Sequence, residues 1–179
     1  MTFVPEKTIV LVGMMGAGKS AVGRKLASLF GLPFVDADDE IEAAAGSSIS
    51  DIFARHGEAA FRDGERRVIE RLLRQPPCVL ATGGGAFMDE RIRKAIGDTA
   101  LSVWLKADLE TLWQRVQRRT HRPLLNTEDP KETLERLIQT RYPVYAEADV
   151  TVESCEGPLD ATVNRVVDEI ERFLNADTE

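Results

Sequence analysis

Short apolar runs alternate with longer amphipathic stretches along the whole chain. The apolar runs predict buried strands at residues 8–13, 33–35, 78–81, 100–105 and 150–152. The stretches between them carry apolar residues at helical spacing and predict helices at 19–30, 41–45, 50–55, 58–74, 89–96, 108–118, from 130 onward and at 158–174. Ser50 is predicted to cap its helix, and Pro143 to interrupt or end the helix that Pro130 opens.

Strands separated by helices predict βαβ units, because neighbouring parallel strands need a helical crossover between them. We therefore expect an α/β fold in which a five-stranded parallel sheet carries helices on both faces, with right-handed crossovers. The 179 residues contain no internal repeat, which favours one domain over residues 1–179. The best candidates for loops are 120–130 and 83–85.

Composition narrows the possible partners. The net charge of −7 and the pI near 5.0 argue against bulk attraction to nucleic acid or to anionic membrane, so neither is expected as a partner. No apolar run approaches the roughly 20 residues that span a bilayer, and the chain start lacks a signal-peptide pattern. We therefore expect a cytoplasmic monomer. Cys78 and Cys155 have no metal-like spacing and are expected to be buried or incidental thiols.

A glycine-rich motif follows the first predicted strand. Residues 13–20 read GMMGAGKS and match the pattern G-x-x-x-x-G-K-[ST], with a strand before the motif and a helix after it. Glycines let the backbone wrap around phosphate oxygens; Lys19 would reach the β and γ phosphates, and Ser20 would bind Mg²⁺. A glycine-rich turn with a chance lysine is the alternative. The motif predicts an Mg-ATP site formed by Gly13, Gly16, Ala17, Gly18, Lys19, Ser20 and Ala21.

Two aspartates follow the second predicted strand, in the sequence DAD. In an extended segment Asp36 and Asp38 point to one side, and past the carboxyl ends of parallel strands that side is the ligand crevice. One carboxylate could then hold a Mg²⁺-bound water, and the other could accept a proton from an attacking hydroxyl. A helix N-cap followed by acidic residues in the first turn explains the same residues equally well.

Glycines and arginines supply further candidates. TGGG follows the third strand, and its glycines 83–85 indicate close approach by a ligand or another backbone, with a tight turn as the alternative. Arg115, Arg118, Arg119 and Arg122 cluster beside the predicted loop. Beside an ATP loop, a lid that brings guanidinium groups onto the phosphates fits Arg119 and Arg122. Arg115 and Arg118 are expected at the surface, and a solvated helix face is the alternative for the whole cluster.

Six segments together give the chain a resemblance to shikimate kinases over nearly its whole length. They are GMMGAGKS from Gly13, DAD from Asp36, FRDGE from Phe61, TGGG from Thr82, RPLL from Arg122 and RYPVYAEA from Arg141. The first is shared by many unrelated nucleotide-binding proteins, whereas the joint occurrence of the other five is specific. The resemblance implies a three-layer P-loop fold, with a substrate-binding helical region at about 36–65 and a mobile lid at about 115–130.

The resemblance also implies an activity and a role for each candidate residue. The activity is ATP-dependent phosphorylation of the shikimate 3-hydroxyl, within aromatic amino-acid biosynthesis, with Mg²⁺ as cofactor. The implied catalytic residues are Lys19, Asp38 and Arg122. The implied nucleotide contacts outside the glycine-rich loop are Arg119 and Arg122, and the implied metal ligands are Ser20 and Asp36. The implied shikimate-binding residues are Asp38, Arg62, Gly83, Gly84, Gly85 and Arg141, with Glu65 orienting Arg62.

The chain departs from this family in two places. The segment between Arg119 and Arg122 is short, and the stretch VESCEGP after the fifth strand lacks an arginine that the family often has near adenine. Two other functions remain open. A related kinase could act on gluconate, which also carries a carboxylate and hydroxyl groups. A nucleotide-binding regulatory module without catalysis is the second alternative, and the intact set of Lys19, Ser20 and Asp38 speaks against it.

Overall fold

A five-stranded parallel sheet forms the centre of the molecule. The structure, a computed structural model, describes residues 3–118, 127–154 and 156–178. The strands are β1 (Thr8–Val12), β2 (Phe34–Asp36), β3 (Val79–Ala81), β4 (Ala100–Lys106) and β5 (Val150–Glu153). Neighbouring strands are parallel throughout, in the order β2-β3-β1-β4-β5. The predicted α/β class and the predicted strands are confirmed.

Helices cover both faces of this sheet. Over the described residues they are α1 (Lys19–Phe30), α2 (Ala37–Ala45), α3 (Ile49–Leu73), α4 (Glu90–Thr99), α5 (Leu109–Gln117), α6 (Pro130–Tyr145) and α7 (Leu159–Ala176). α1 and α7 pack on each other, and α1 also packs on β3 and α7 on β5. α3 packs on α4, which in turn packs on β4. In the same part of the chain, no helix combines the length and the apolar character that crossing a bilayer requires.

The long helix α3 differs from the prediction in two respects. Its N-cap is Ser48, whose hydroxyl accepts a hydrogen bond from the N–H of Asp51 at 3.1 Å. The prediction of Ser50 as the cap is therefore wrong, because Ser48 already has the extended backbone and the spacing of an N-cap. The helices predicted at 50–55 and 58–74 join into one element with a kink at Gly57, where φ is 82°.

Pro143 lies inside α6 and does not break it, contrary to the prediction. A proline removes one intrahelical hydrogen bond, and α6 ends only two residues later, so little of the helix depends on the missing bond. The last turn is also held by packing. The Tyr142 ring meets Trp104 edge-on at 5.0 Å between centroids, and Tyr145 lies 5.8 Å from the same indole. Tertiary contacts therefore compensate for the local cost of the proline.

Strand order places the three candidate loops side by side. β1 lies between β3 and β4, where the direction of the connections reverses, and this is where α/β sheets open a ligand crevice past the strand ends. The GMMGAGKS loop follows β1, the triple glycine follows β3, and DAD follows the adjacent β2. The three segments therefore meet at one edge of the sheet.

Candidate active site

The loop after β1 has the backbone geometry of a phosphate cradle. Gly16 and Gly18 have φ values of 83° and 94°, in the left-handed region that side chains rarely adopt. A Cβ at Gly13 would lie 2.8 Å from the carbonyl oxygen of Leu105, so no larger residue fits there. The loop leads directly into the first turn of α1, whose N–H groups favour an anion.

Lys19 lies across this loop. Its ammonium donates hydrogen bonds to the carbonyl oxygens of Gly13 at 2.6 Å and Met14 at 2.9 Å. A cavity of about 540 Å³, which we call the phosphate cavity, opens beside it. Its walls include these predicted nucleotide contacts: Gly16, Ala17, Gly18, Lys19, Ser20 and Ala21. The structure therefore brings this part of the predicted nucleotide site together.

Asp36 is a helix N-cap, as one of the two interpretations of its sequence predicted. Its Oδ1 accepts a hydrogen bond from the N–H of Asp38 at 2.9 Å and caps α2, while its Oδ2 accepts one from the Ser20 hydroxyl at 3.0 Å. Asp38 lies in the first turn of α2, so the expected extended geometry of the DAD segment is wrong. Both aspartates nevertheless line the phosphate cavity.

A second, smaller cavity adjoins the first. We call it the acid cavity; its volume is about 90 Å³, and Met15, Asp38, Gly83 and Gly84 line both cavities. Charged side chains occupy one part of its wall, and apolar side chains of α3 occupy another. The remaining lining residues are Ile49, Phe53, Phe61, Arg62, Glu65, Gly85 and Arg141. The predicted substrate-binding residues thus surround one space.

Glu65 holds the arginine that precedes it by one helical turn. Its Oε1 lies 3.0 Å from NH1 of Arg62, and the Glu65 side chain is only 1% exposed. Its other oxygen, Oε2, is buried and has no hydrogen-bond partner among the described residues. Burial raises the pKa of Glu65, and the neighbouring Arg62 opposes that rise. The same guanidinium that pairs with the Glu65 carboxylate thus favours its charged form, against the larger effect of burial.

Arg141 enters the acid cavity from α6 and is only 5% exposed. Its NH1 lies 3.8 Å from the sulfur of Met14, in the phosphate-binding loop. Beside it, the hydroxyl of Tyr145 donates a hydrogen bond to the carbonyl oxygen of Gly84. Burial raises the pKa of Tyr145 to about 12, so this hydroxyl keeps its proton at neutral pH. Arg141 therefore contacts elements of both cavities.

The triple glycine makes room for charged side chains. A Cβ at Gly83 would lie 3.0 Å from Oδ1 of Asp38. At Gly84 it would lie 2.9 Å from NH1 of Arg141, and at Gly85 it would lie 2.4 Å from both terminal nitrogens of Arg62. The turn was predicted to admit a ligand or another backbone; the groups that approach it here are the charged side chains of the acid cavity.

Within the arginine cluster, the expectation for Arg115 is wrong. Arg115, expected at the surface, donates from NH1 to the carbonyl oxygen of Gly16 at 3.0 Å and to the Ser154 hydroxyl at 3.1 Å. Arg118 is exposed but also lines the phosphate cavity. Arg119, Arg122 and the middle half of the predicted lid lie outside the described residues. No local pattern marks the Arg115 contact, since its partner lies 99 residues earlier in the chain.

A phosphate cradle that shares a wall with a small cavity lined by two arginines suits the transfer of a phosphoryl group from a nucleotide to an organic anion. By fold and by site, the chain is a P-loop kinase of small molecules. A sequence model of the shikimate kinase family matches residues 15–171. The chain belongs to this family.

Individual relatives agree with this assignment. The chain is 60% identical over 169 residues to a shikimate kinase of Paramagnetospirillum magneticum, a match that covers 94% of this chain and 87% of the relative. The solved structure of the Acinetobacter baumannii shikimate kinase in complex with shikimate superposes with a TM-score of 0.86 at 38% identity, over 96% of this chain and 94% of that one. A Sinorhizobium meliloti gluconokinase gives a TM-score of 0.63 at 20% identity, over 96% and 95% of the two chains, which shows the fold alone.

Proposed function

We propose that the chain catalyses the ATP-dependent phosphorylation of the shikimate 3-hydroxyl, giving shikimate 3-phosphate and ADP. Membership of the shikimate kinase family supports this reaction. The structural observation that carries it is the position of Asp38, whose side chain lines both the phosphate cavity and the acid cavity. The arginines hold the carboxylate of the acid, and a hydroxyl group of the same acid lies beside Asp38. From there it faces the terminal phosphate of the nucleotide.

The acid cavity binds shikimate through its carboxylate. Arg62 and Arg141 provide two guanidinium groups, which bind carboxylates with paired hydrogen bonds. Glu65 fixes the orientation of Arg62, and the absence of side chains at 83–85 leaves room for both guanidinium groups. Asp38 accepts a hydrogen bond from the reacting hydroxyl and directs it at the phosphate cavity. Within this proposal, residues 36–65 form the substrate-binding region.

The phosphate cavity binds the nucleotide. Lys19 exchanges its bonds to the carbonyls of Gly13 and Met14 for bonds to the β and γ phosphates, and the N–H groups of the loop surround the same oxygens. The N–H groups of the loop are fixed by its backbone before reaction, so they stabilise the charge of the transferred phosphoryl group, and only the Lys19 side chain changes its partners. Arg119 and Arg122 are proposed to add positive charge from a lid at about 115–130.

Ser20 and Asp36 fit a magnesium ion that arrives with ATP. Among the described residues, no group of three or more histidine, cysteine or acidic side chains could hold a metal by itself. Mg²⁺ in kinases usually needs only one or two protein oxygens besides phosphates and water. The Ser20 hydroxyl and Asp36 Oδ2, 3.0 Å apart, are such a pair. The ion, when bound, neutralises charge on the phosphates.

Turnover of shikimate tests the proposal directly. Purified protein with Mg²⁺ and ATP should release ADP when shikimate is added, and phosphorus and proton NMR of the product should place the ester on the 3-hydroxyl. Gluconate serves as the matched alternative acid. Turnover of gluconate alone would overturn the assignment, and ATP binding without any phosphorylated product would favour a regulatory module.

The triple glycine provides a test of the acid cavity. Gly85→Ala should raise the KM for shikimate about tenfold, because the added Cβ displaces the guanidinium of Arg62 and weakens one charged contact. Gly85 has a φ of −93°, so alanine introduces no backbone strain there. Steady-state kinetics with each substrate varied in turn measure the effect.

Gly64→Ala is the matched control, since Gly64 lies in α3 close to Arg62 and a Cβ there meets nothing within 4 Å. The control should leave both KM values near those of the unmodified enzyme. An equal rise of both KM values in Gly85→Ala would contradict a specific effect on the acid cavity.

A further inference from the structure

Ser154, which follows β5, lies against the phosphate-binding loop and lines the phosphate cavity. It is only 6% exposed, and its hydroxyl donates a hydrogen bond to the carbonyl oxygen of Ala17 at 2.9 Å. The same hydroxyl accepts a bond from NH1 of Arg115 at 3.1 Å, and that NH1 also donates to the carbonyl oxygen of Gly16 at 3.0 Å. Two successive carbonyls of the loop are thus bonded by side chains from other segments of the chain.

The backbone N–H of Ser154 donates to the carbonyl oxygen of Lys106 at 2.6 Å, at the end of the neighbouring strand β4. The hydroxyl is therefore carried by a backbone segment that the sheet edge fixes. A bond from such a segment restrains the loop more firmly than a bond from a side chain free to follow the loop.

The restraint on Ala17 acts on the next N–H group. The Ala17 carbonyl and the Gly18 N–H belong to one planar trans peptide, so they point in opposite directions. Gly18 adopts a φ of 94°, and glycine reaches positive and negative φ with similar ease. The peptide between Ala17 and Gly18 could therefore rotate at low cost if nothing held its carbonyl. A bond that holds the Ala17 carbonyl also fixes the direction of the Gly18 N–H, and Gly18 lines the phosphate cavity.

We propose that Ser154 is a positioning residue for phosphoryl transfer: its hydroxyl holds the Ala17 carbonyl so that the Gly18 N–H faces the phosphates of the nucleotide. This inference rests on the proposed function. Ser154 lines the phosphate cavity and its hydroxyl is bonded to the loop, so its contribution is orientation of the loop. Its loss affects ligands that carry phosphate groups and leaves other ligands alone.

Ser154→Ala removes the hydroxyl and leaves the Ala17 carbonyl without that donor. Isothermal titration of the full chain should show ATP and inorganic tripolyphosphate binding about 5- to 30-fold more weakly, which corresponds to the loss of one hydrogen bond to a buried group. Affinity for adenosine, which has no phosphate, and for shikimate should stay within about twofold of the unmodified chain. In kinetics, the KM for ATP should rise and the KM for shikimate should not.

Ser102→Ala is the matched control. Ser102 is also buried, at 4% exposure, and its hydroxyl bonds the side chain of Asp149 at 3.1 Å in the early part of β4, away from the phosphate loop. The control should leave tripolyphosphate affinity unchanged. Ser154→Cys keeps the side-chain shape and replaces the hydroxyl by a weak donor. It should show the same selective loss to a smaller degree, and it tests the inference even if the alanine variant is unstable.

Two outcomes would overturn the inference: unchanged tripolyphosphate affinity in a folded Ser154 variant, or equal losses for adenosine and tripolyphosphate, which would indicate general loosening of the loop. The binding measurements need no shikimate turnover. If the unmodified chain fails to phosphorylate shikimate, the proposed function fails, and the role of Ser154 is still decided by phosphate affinity alone.

Discussion

Lys19→Ala is expected to lower kcat by about a thousandfold or more while the protein stays folded. The Lys19 ammonium lies at the phosphate cavity, and removing one donor to a developing charge costs about 10²- to 10³-fold in rate. Loss of its full charge from the phosphates adds to that cost. Stopped assays with saturating shikimate and ATP measure the rate, and thermal melting reports the fold.

Lys25→Ala controls for the loss of a lysine from the same helix. Lys25 lies on α1 and pairs with Asp160 at the surface, with 46% of its side chain exposed. Exposed ion pairs contribute little to stability, so this variant should keep both activity and melting temperature. Turnover by Lys19→Ala within about tenfold of the unmodified enzyme would remove Lys19 from the catalytic role.

Arg141→Ala is expected to weaken shikimate binding by about 10- to 100-fold and ATP binding by less than about threefold. Hydrogen bonds to charged groups contribute about 1.5–3 kcal/mol, and each 1.4 kcal/mol is a factor of ten in affinity. Arg141→Lys should recover only part of the loss, because an ammonium cannot reproduce the planar fork of a guanidinium. Titration calorimetry with each ligand separately provides the measurement.

Arg136→Ala is the control for this prediction, because Arg136 lies on the same helix α6 and is exposed. It should bind both ligands as the unmodified chain does. Since Arg141 also lies 3.8 Å from the sulfur of Met14, its loss could disturb the phosphate loop. Equal losses of shikimate and ATP affinity would therefore show that Arg141 supports the loop and does not anchor the acid.

The sheet was predictable because its signals are local. The apolar run that forms β1 is buried at every position, and a strand buried on both faces must be continuously apolar. The role of the glycine motif was predictable from its own pattern, with a strand before it and a helix after it, whereas the strand order that places it at the crevice was not predicted. Prediction failed where two local signals compete, as with Ser48 and Ser50, or where tertiary packing overrides a local cost, as at Pro143.

In the candidate site, too, contacts between residues close in sequence were predictable and contacts between distant segments were not. Arg62 and Glu65 are one helical turn apart, so their contact could be predicted from spacing. The contacts of Arg115 with Gly16 and Ser154 join segments far apart in the chain, and nothing in any one segment reveals them. The structural reason for the three glycines was also hidden, because the crowding side chains come from α2, α3 and α6.

The triple glycine limits how this pocket can be redesigned. Each of its positions is crowded by a different charged side chain, so residues 83–85 cannot be enlarged one at a time without moving an anchor. Space for new acceptor acids must therefore be made in the apolar part of the cavity lining, which Ile49 and Phe53 help to form. A library that varies Ile49 and Phe53 and keeps the glycines is the rational start for changing which acid this scaffold accepts.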